Sequence, residues 1–267
     1  MKFIPKWGKT LLALAILGIL LGILTNFFIC QPLYWLTGYI FVVSSLILYV
    51  RKKYPNRTLK VDITDLELVN LSGAPLKLSE ILLHEFEYVK DTASQAMNDR
   101  HTMINYFLLS AGVVVTGIGV LLSKEGAADF QYRDECLVAM SLLFSTVGWI
   151  YFLQLVRLRQ AWCDSALAMN HIKRIFVHYS GNQPQKAQKV FLWNIDTIPR
   201  ANAKMTVFHL SALLIAVLSA VAIALTSVIL LGEKETGKFW YIAIILGLYH
   251  LIFQMSMYTA LLKEPRT

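Results

Sequence analysis

Proline is absent from the hydrophobic stretches of this chain, since all seven prolines lie outside them. Many secondary transporters build their substrate site from membrane helices that glycine or proline interrupts. The distribution of proline therefore argues against a transporter of this kind.

Cysteine is scarce as well. The three cysteines do not suggest a disulfide framework, and buried free thiols are the simpler interpretation.

Catalytic and metal-binding signatures are also missing. No hydrolase, kinase, phosphate-loop or zinc pattern occurs, and the glycines at 112, 117 and 119 do not form a dinucleotide-binding fingerprint. The sequence therefore predicts a protein that is not an enzyme and that carries no cofactor and no metal.

Long apolar blocks dominate what is present. The 267 residues are 56% hydrophobic with a mean hydropathy of +0.54. The apolar residues fall into blocks of about 20, the length that crosses ~30 Å of hydrocarbon at ~1.5 Å per residue. This pattern predicts an all-α integral membrane protein with six transmembrane helices, near 10–29, 33–50, 103–122, 136–156, 207–231 and 239–262.

Lysine and arginine are distributed unevenly along this arrangement. With six spans, 21 of the 25 basic residues fall on one side of the membrane and four on the other. Cytoplasmic segments carry such an excess. The asymmetry predicts a multi-pass protein with both termini in the cytoplasm.

Two of the predicted helices are expected to extend beyond the membrane. No proline occurs between Pro75 and Pro184, so no proline ends these helices where their apolar stretches end. One continuous helix is expected from about Ser79 to Leu122 and a second from Cys136 to about Tyr179. Their extramembrane halves carry apolar residues at alternating spacings of three and four, which favours an antiparallel coiled coil in the cytoplasm. If residues 102 and 157 lie at the same depth at the membrane surface, Arg100 and His101 approach Arg157 and Arg159.

The chain divides on this interpretation into five segments. They are an N-terminal transmembrane hairpin at 1–57, a short cytoplasmic ribbon at 58–78, a long helical hairpin at 79–180, an interfacial linker at 181–206 and a C-terminal transmembrane hairpin at 207–267.

His250 is the main candidate for an ion path, because it is the only ionisable side chain near the middle of a span. Gln254 shares its helix face. The alternative is a neutral imidazole that hydrogen-bonds Ser219 or Thr226 of a neighbouring helix.

Two stripes of small residues could pack helices within one subunit, or could face a subunit partner or a narrow pore. They are Ala212, Ala216, Ala220 and Ala224 in one span, and Gly112, Thr116, Gly119 and Ser123 in another.

Arg100, Arg157 and Arg159 form the candidate site for an anionic ligand, since they would make a basic collar where the long helices leave the membrane. The alternative is that these arginines are ordinary positive residues at the cytoplasmic ends of spans. The positive charge of the cytoplasmic segments suits a nucleotide or a short nucleic acid, although topology alone demands a similar charge.

The segments EFEYVKDTASQAMNDRHTMINYF and RLRQAWCDSALAMNHIKRIF resemble paired motifs of bacterial multi-spanning membrane proteins. The layout is similar to that of SLATT-type membrane effectors, which accompany nucleotide-signalling anti-phage systems. This resemblance implies a protein of the bacterial inner membrane that forms or gates an ion-conducting pore as a homo-oligomer and senses a cytoplasmic nucleotide. The alternatives are a small-solute or ion transporter that uses the His250 face, and a membrane scaffold.

Overall fold

The computed structural model describes residues 78–123, 131–179, 201–231 and 238–262, which form four α-helices and contain no strand. Each helix is long and apolar enough to cross a membrane. In chain order they are α1 (Leu78–Leu122), α2 (Arg133–Tyr179), α3 (Val207–Leu231) and α4 (Lys238–Leu261).

The prediction of six transmembrane helices is therefore wrong, because the described part of the chain has four helices and four candidate spans. The two further predicted spans, at 10–29 and 33–50, lie outside the described residues. So does the predicted ribbon at 58–78, except for Leu78, which begins α1. Hydropathy and length identify which segments could cross a bilayer, but they do not fix the number of helices in the fold.

The continuity of the two long helices is confirmed. α1 has 45 residues and α2 has 47, so each is roughly 70 Å long at ~1.5 Å per residue. Neither contains a proline, so no backbone N–H is missing and no ring forces a kink. Acidic residues occupy the first turns, at Glu80 in α1 and at Asp134 and Glu135 in α2, where they complement the positive end of the helix dipole.

The start of α3 is fixed by local hydrogen bonds. The backbone N–H of His209 donates to the Thr206 hydroxyl oxygen at 3.2 Å, and the N–H of Leu210 donates to the Thr206 carbonyl at 2.9 Å. Thr206 is therefore the N-cap of the helix. Met205, immediately before it, has a φ of 61°, in the left-handed region that a methionine rarely adopts.

The chain forms two compact units, and three of the helices contribute to both. The histidine unit comprises, among the described residues, 113–123, 131–147, 216–231 and 238–261. The arginine unit comprises 78–112, 148–179, 201–215 and residue 262.

The arginine unit buries the faces of α1 and α2 that carry the predicted apolar spacing. Every predicted seam position whose side chain is described is buried or half-buried in both helices. The Phe107 and Tyr151 rings lie 5.4 Å apart, a contact between α1 and α2. This contact agrees with the predicted alignment of the two helices. The seam residues are Leu82, Phe86, Val89, Ala93, Ala96, Arg100 and Met103 in α1, and Leu155, Leu158, Trp162, Ser165, Met169, Ile172 and Phe176 in α2.

The histidine unit is held by small residues between α3 and α4. A Cβ atom added at Gly247 would lie 3.1 Å from the carbonyl oxygen of Ala220 and 3.3 Å from the Cβ of Ala224. The two backbones therefore approach closely at this glycine, as small residues permit between membrane helices. The Ala220–Ala224 part of the predicted alanine stripe thus packs within one subunit.

Candidate functional site

His250 and Gln254 occupy the interior of the histidine unit. They lie one turn apart on α4, with exposed fractions of 6% and 0%. No Asp, Glu, Lys or Arg occurs in α4 between Trp240 and Leu261. The helix therefore places its two most polar side chains on one buried face, whereas Ile252, between them in sequence, is exposed.

Further polar side chains line the interior of the same unit, although each belongs to a predominantly apolar helix. Some satisfy their hydroxyl groups locally: Thr226 donates to the Ala222 carbonyl at 3.0 Å, and Ser227 donates to the Ile223 carbonyl at 2.7 Å. Because Thr226 donates to Ala222, its hydroxyl could bond His250, as the sequence suggested, only as an acceptor. The hydroxyl groups of Ser141 and Ser219 are buried and have no hydrogen-bond partner among the described residues.

Gly112 and Thr116, predicted with His250 and Gln254 to line a pore or ion path, are in a different environment. Both are exposed on α1, and a Cβ added at Gly112 would meet nothing within 4 Å. Only 11% of the hydrophobic window of α1 is buried, against 39–44% for the other three helices. The predicted set therefore splits into a buried pair, His250 and Gln254, and an exposed pair on α1.

Arg100 and Arg159 are the buried charged residues of the described chain, each with an exposed fraction of 3%. The Cζ atom of Arg100 lies 5.0 Å from the centroid of the Phe208 ring, and that of Arg159 lies 5.3 Å from the same centroid. Phe208 itself is 2% exposed, in the first turn of α3. Three helices of the arginine unit thus meet at two guanidinium groups and one aromatic ring, which we call the arginine cluster.

Further contacts hold each guanidinium in place. Arg159 donates from Nε to the Ala201 carbonyl at 3.1 Å and lies 4.7 Å from the centroid of the Trp162 ring. Arg100 contacts the sulfur of Met97 at 3.7 Å and the Nε2 atom of His101 at 2.6 Å. Because a guanidinium only donates, the Nε2 atom of His101 is the acceptor in this contact.

Arg157, the third predicted member of the basic collar, is exposed. It precedes Arg159 by two residues, and at ~100° per residue two positions on a helix point to nearly opposite sides. Arg100 and Arg159 come together as the sequence predicted, and Arg157 does not join them in the buried cluster.

The cluster concentrates positive charge where water is excluded. The two Cζ atoms are at most about 10 Å apart, because both lie close to one ring centroid. At an effective dielectric constant of ~20, two unit charges at ~10 Å repel by roughly 1.5 kcal/mol. Contact with an aromatic face contributes ~0.5–2 kcal/mol per cation, depending on desolvation. These contacts can offset the repulsion, and those of Arg100 among the described residues include no anion.

Sequence reasoning missed the part that Phe208 plays, because nothing in the pattern of α3 marks this residue among the other apolar ones. Arg100 did give a signal, since it is a charged residue at an apolar seam position. A charged residue at such a position must find partners on another element, and here the ring comes from α3.

The described residues contain no group of three or more histidine, cysteine, aspartate or glutamate side chains that could hold a metal ion. Comparisons with protein-family models, curated proteins and solved structures found no match. The resemblance to SLATT-type effectors therefore stays a prediction.

Proposed function

We propose that this helical membrane protein conducts ions, and that His250 and Gln254 line its path. The observation that supports the proposal is the burial of an imidazole and a carboxamide on one face of a helix that has no Asp, Glu, Lys or Arg between Trp240 and Leu261. Ionisable side chains are rare within membrane helices because they are costly there, and they commonly mark ion or proton pathways.

The neighbouring hydroxyl groups support the same proposal. Ser141 of α2 and Ser219 of α3 belong to the histidine unit and have buried hydroxyls without a hydrogen-bond partner among the described residues. A buried hydroxyl without a partner costs free energy, which a bound water or ion would recover. Polar groups from α2, α3 and α4 therefore line the interior of this unit.

The distribution of basic residues supports an orientation for the four described helices. Eight lysines and arginines lie from Arg51 to Arg100, eight from Arg157 to Lys204 and two after Leu262. The loops that follow α1 and α3 hold one each, and the first residues of α2 and α4 add one each. By the positive-inside rule the first three segments are cytoplasmic. In a bacterium the membrane would be the inner one, and the conduction could serve anti-phage defence, as the resemblance implies.

A second candidate places the pore between subunits. The exposed face of α1 carries Gly112, Thr116 and Gly119, and a Cβ at either glycine would meet nothing within 4 Å. Small residues let membrane helices approach closely, so this face suits contact with a second copy of the chain. In this homo-oligomer His250 would stabilise the subunit and would not conduct. A membrane scaffold would show no flux at all.

The test is ion flux in liposomes that contain the purified chain. We expect flux that depends on pH, and we expect His250→Ala to abolish it while the protein still inserts. The matched control is Ile252→Ala, because Ile252 lies two residues away on the same helix with an exposed side chain. This control should conduct like the wild type.

Two results would count against the proposal. One is wild-type flux with a wild-type pH response in the His250→Ala variant. The other is a pair of findings expected for a structural hydrogen bond. His250→Asn and His250→Gln would keep wild-type flux, and His250→Ala would lose only about 1 kcal/mol of stability.

A further inference from the structure

We propose that the arginine cluster binds a phosphate-bearing anion, either a lipid headgroup or a soluble phosphate compound. The binding residues are Arg100 and Arg159, and Phe208 holds them together. This inference does not depend on the ion path, because it concerns residues of the arginine unit only.

Buried charges in proteins are normally paired, since an uncompensated charge away from water is costly. Arg100 is 3% exposed, and its contacts among the described residues are a thioether sulfur, an imidazole nitrogen and an aromatic ring. None of these groups is an anion. A bound anion would supply the negative charge that these contacts do not.

The two guanidinium groups also have a geometry that suits phosphate. A guanidinium presents planar pairs of N–H donors that match the oxygens of a phosphate, so arginine recognises phosphate with two parallel hydrogen bonds. The rings of Phe208 and Trp162 and the carbonyl of Ala201 fix the Arg159 guanidinium. Phe208 and His101 fix that of Arg100. Groups held in place before binding lose little freedom when a ligand arrives.

The cluster lies at the ends of apolar stretches. Arg100 precedes the apolar window that starts near residue 103, Arg159 follows the one that ends near residue 156, and Phe208 lies at the start of a third. If these stretches cross a bilayer, the cluster lies at the depth of the lipid phosphate groups, on the side with most of the lysines and arginines.

The experiment uses the full chain in phosphatidylcholine nanodiscs. In one arm phosphatidylglycerol is added, and lipid retention is measured by native mass spectrometry. In the other arm inorganic phosphate or adenosine monophosphate is titrated, and the shift of the unfolding midpoint is measured. Binding in the lipid arm alone identifies a headgroup site, and binding in the soluble arm alone identifies a site for a soluble phosphate compound.

We expect Arg100→Gln and Arg159→Gln each to weaken binding by about tenfold or more, because each removes charged hydrogen bonds. The matched control is Arg157→Gln, which removes the same charge from the exposed side of α2 and should bind like the wild type. Arg100→Lys keeps the charge without the planar donor pair. It should bind more weakly than the wild type. If the glutamine variants fail to fold, this lysine variant tests the proposal in their place.

The proposal is overturned if the wild type binds in neither arm. It is also overturned if Arg157→Gln weakens binding as much as the two cluster variants, or if Arg100→Lys binds like the wild type.

Discussion

The histidine unit and the arginine unit bury polar groups in different ways. His250 and Gln254 come from one helix and lie one turn apart on a buried face. Arg100 and Arg159 come from two helices and meet on a ring supplied by a third helix. One helix face brings the first pair together, whereas the buried guanidinium groups draw contacts from several elements, and the contacts of Arg100 among the described residues include no anion.

The largest expected effect concerns the ring that the two arginines share. Phe208→Ala should lower the free energy of unfolding by more than the ~3–5 kcal/mol typical of a buried phenylalanine, because two cations also lose their aromatic contact. The matched change in the histidine unit is Phe253→Ala, where the buried ring stacks on Tyr249. Thermal and denaturant unfolding in detergent measure both variants, and equal losses would contradict the role given to Phe208.

The next effect concerns two glycines in different environments. Gly247→Leu should destabilise the histidine unit by about 1–3 kcal/mol or more, because the side chain would collide with the Ala220 carbonyl, which belongs to a helix backbone. Gly112→Leu should leave the subunit's unfolding midpoint unchanged or raised, because nothing lies within 4 Å of its Cβ position.

The same two variants separate the two pore models. If the α1 face lies between subunits, Gly112→Leu should reduce the oligomeric state measured by light scattering, although each subunit stays folded. An unchanged oligomer with Gly112→Leu would exclude Gly112 from the subunit interface, and a folded Gly247→Leu subunit of wild-type stability would contradict the close packing of α3 and α4.

The smallest effect concerns the turn that precedes α3. Met205 has a φ of 61°, and a side chain in the left-handed region costs roughly 1–2 kcal/mol that glycine does not incur. Met205→Gly should therefore raise the free energy of unfolding by about 0.5–1 kcal/mol. The rest of the relieved strain is cancelled because glycine has greater conformational freedom in the unfolded chain. Lys204→Gly is the control, because Lys204 has no positive φ and should gain nothing. A loss of stability in Met205→Gly would contradict this account of the turn.

Helix continuity and helix ends were predictable from the sequence, because proline and apolar length decide them locally. α3 spans the predicted 207–231, and α4 begins and ends one residue before the predicted 239 and 262. The buried faces of α1 and α2 were predictable as well, because a spacing of three and four residues defines one side of a helix.

The environment of individual site residues was predictable only in part. Arg157 and Arg159 carry the same charge two residues apart, and their separation depends on which side of α2 meets α3 and Phe208. Gly112 and Gly247 look alike in sequence, but only Gly247 lies against another helix backbone. These differences follow from tertiary packing, which hydropathy and spacing do not specify.

The most direct test of the proposed ion path is whether water reaches residue 250. His250→Cys is made in a chain whose three native cysteines are replaced by alanine, and a small water-soluble thiol reagent is applied to the protein in liposomes. The control is Ile252→Cys, on the exposed face of the same helix, where surrounding lipid should suppress formation of the reactive thiolate. The account predicts that the cysteine at 250 reacts in the folded protein and the cysteine at 252 does not. Reaction of the cysteine at 250 only after denaturation would contradict it.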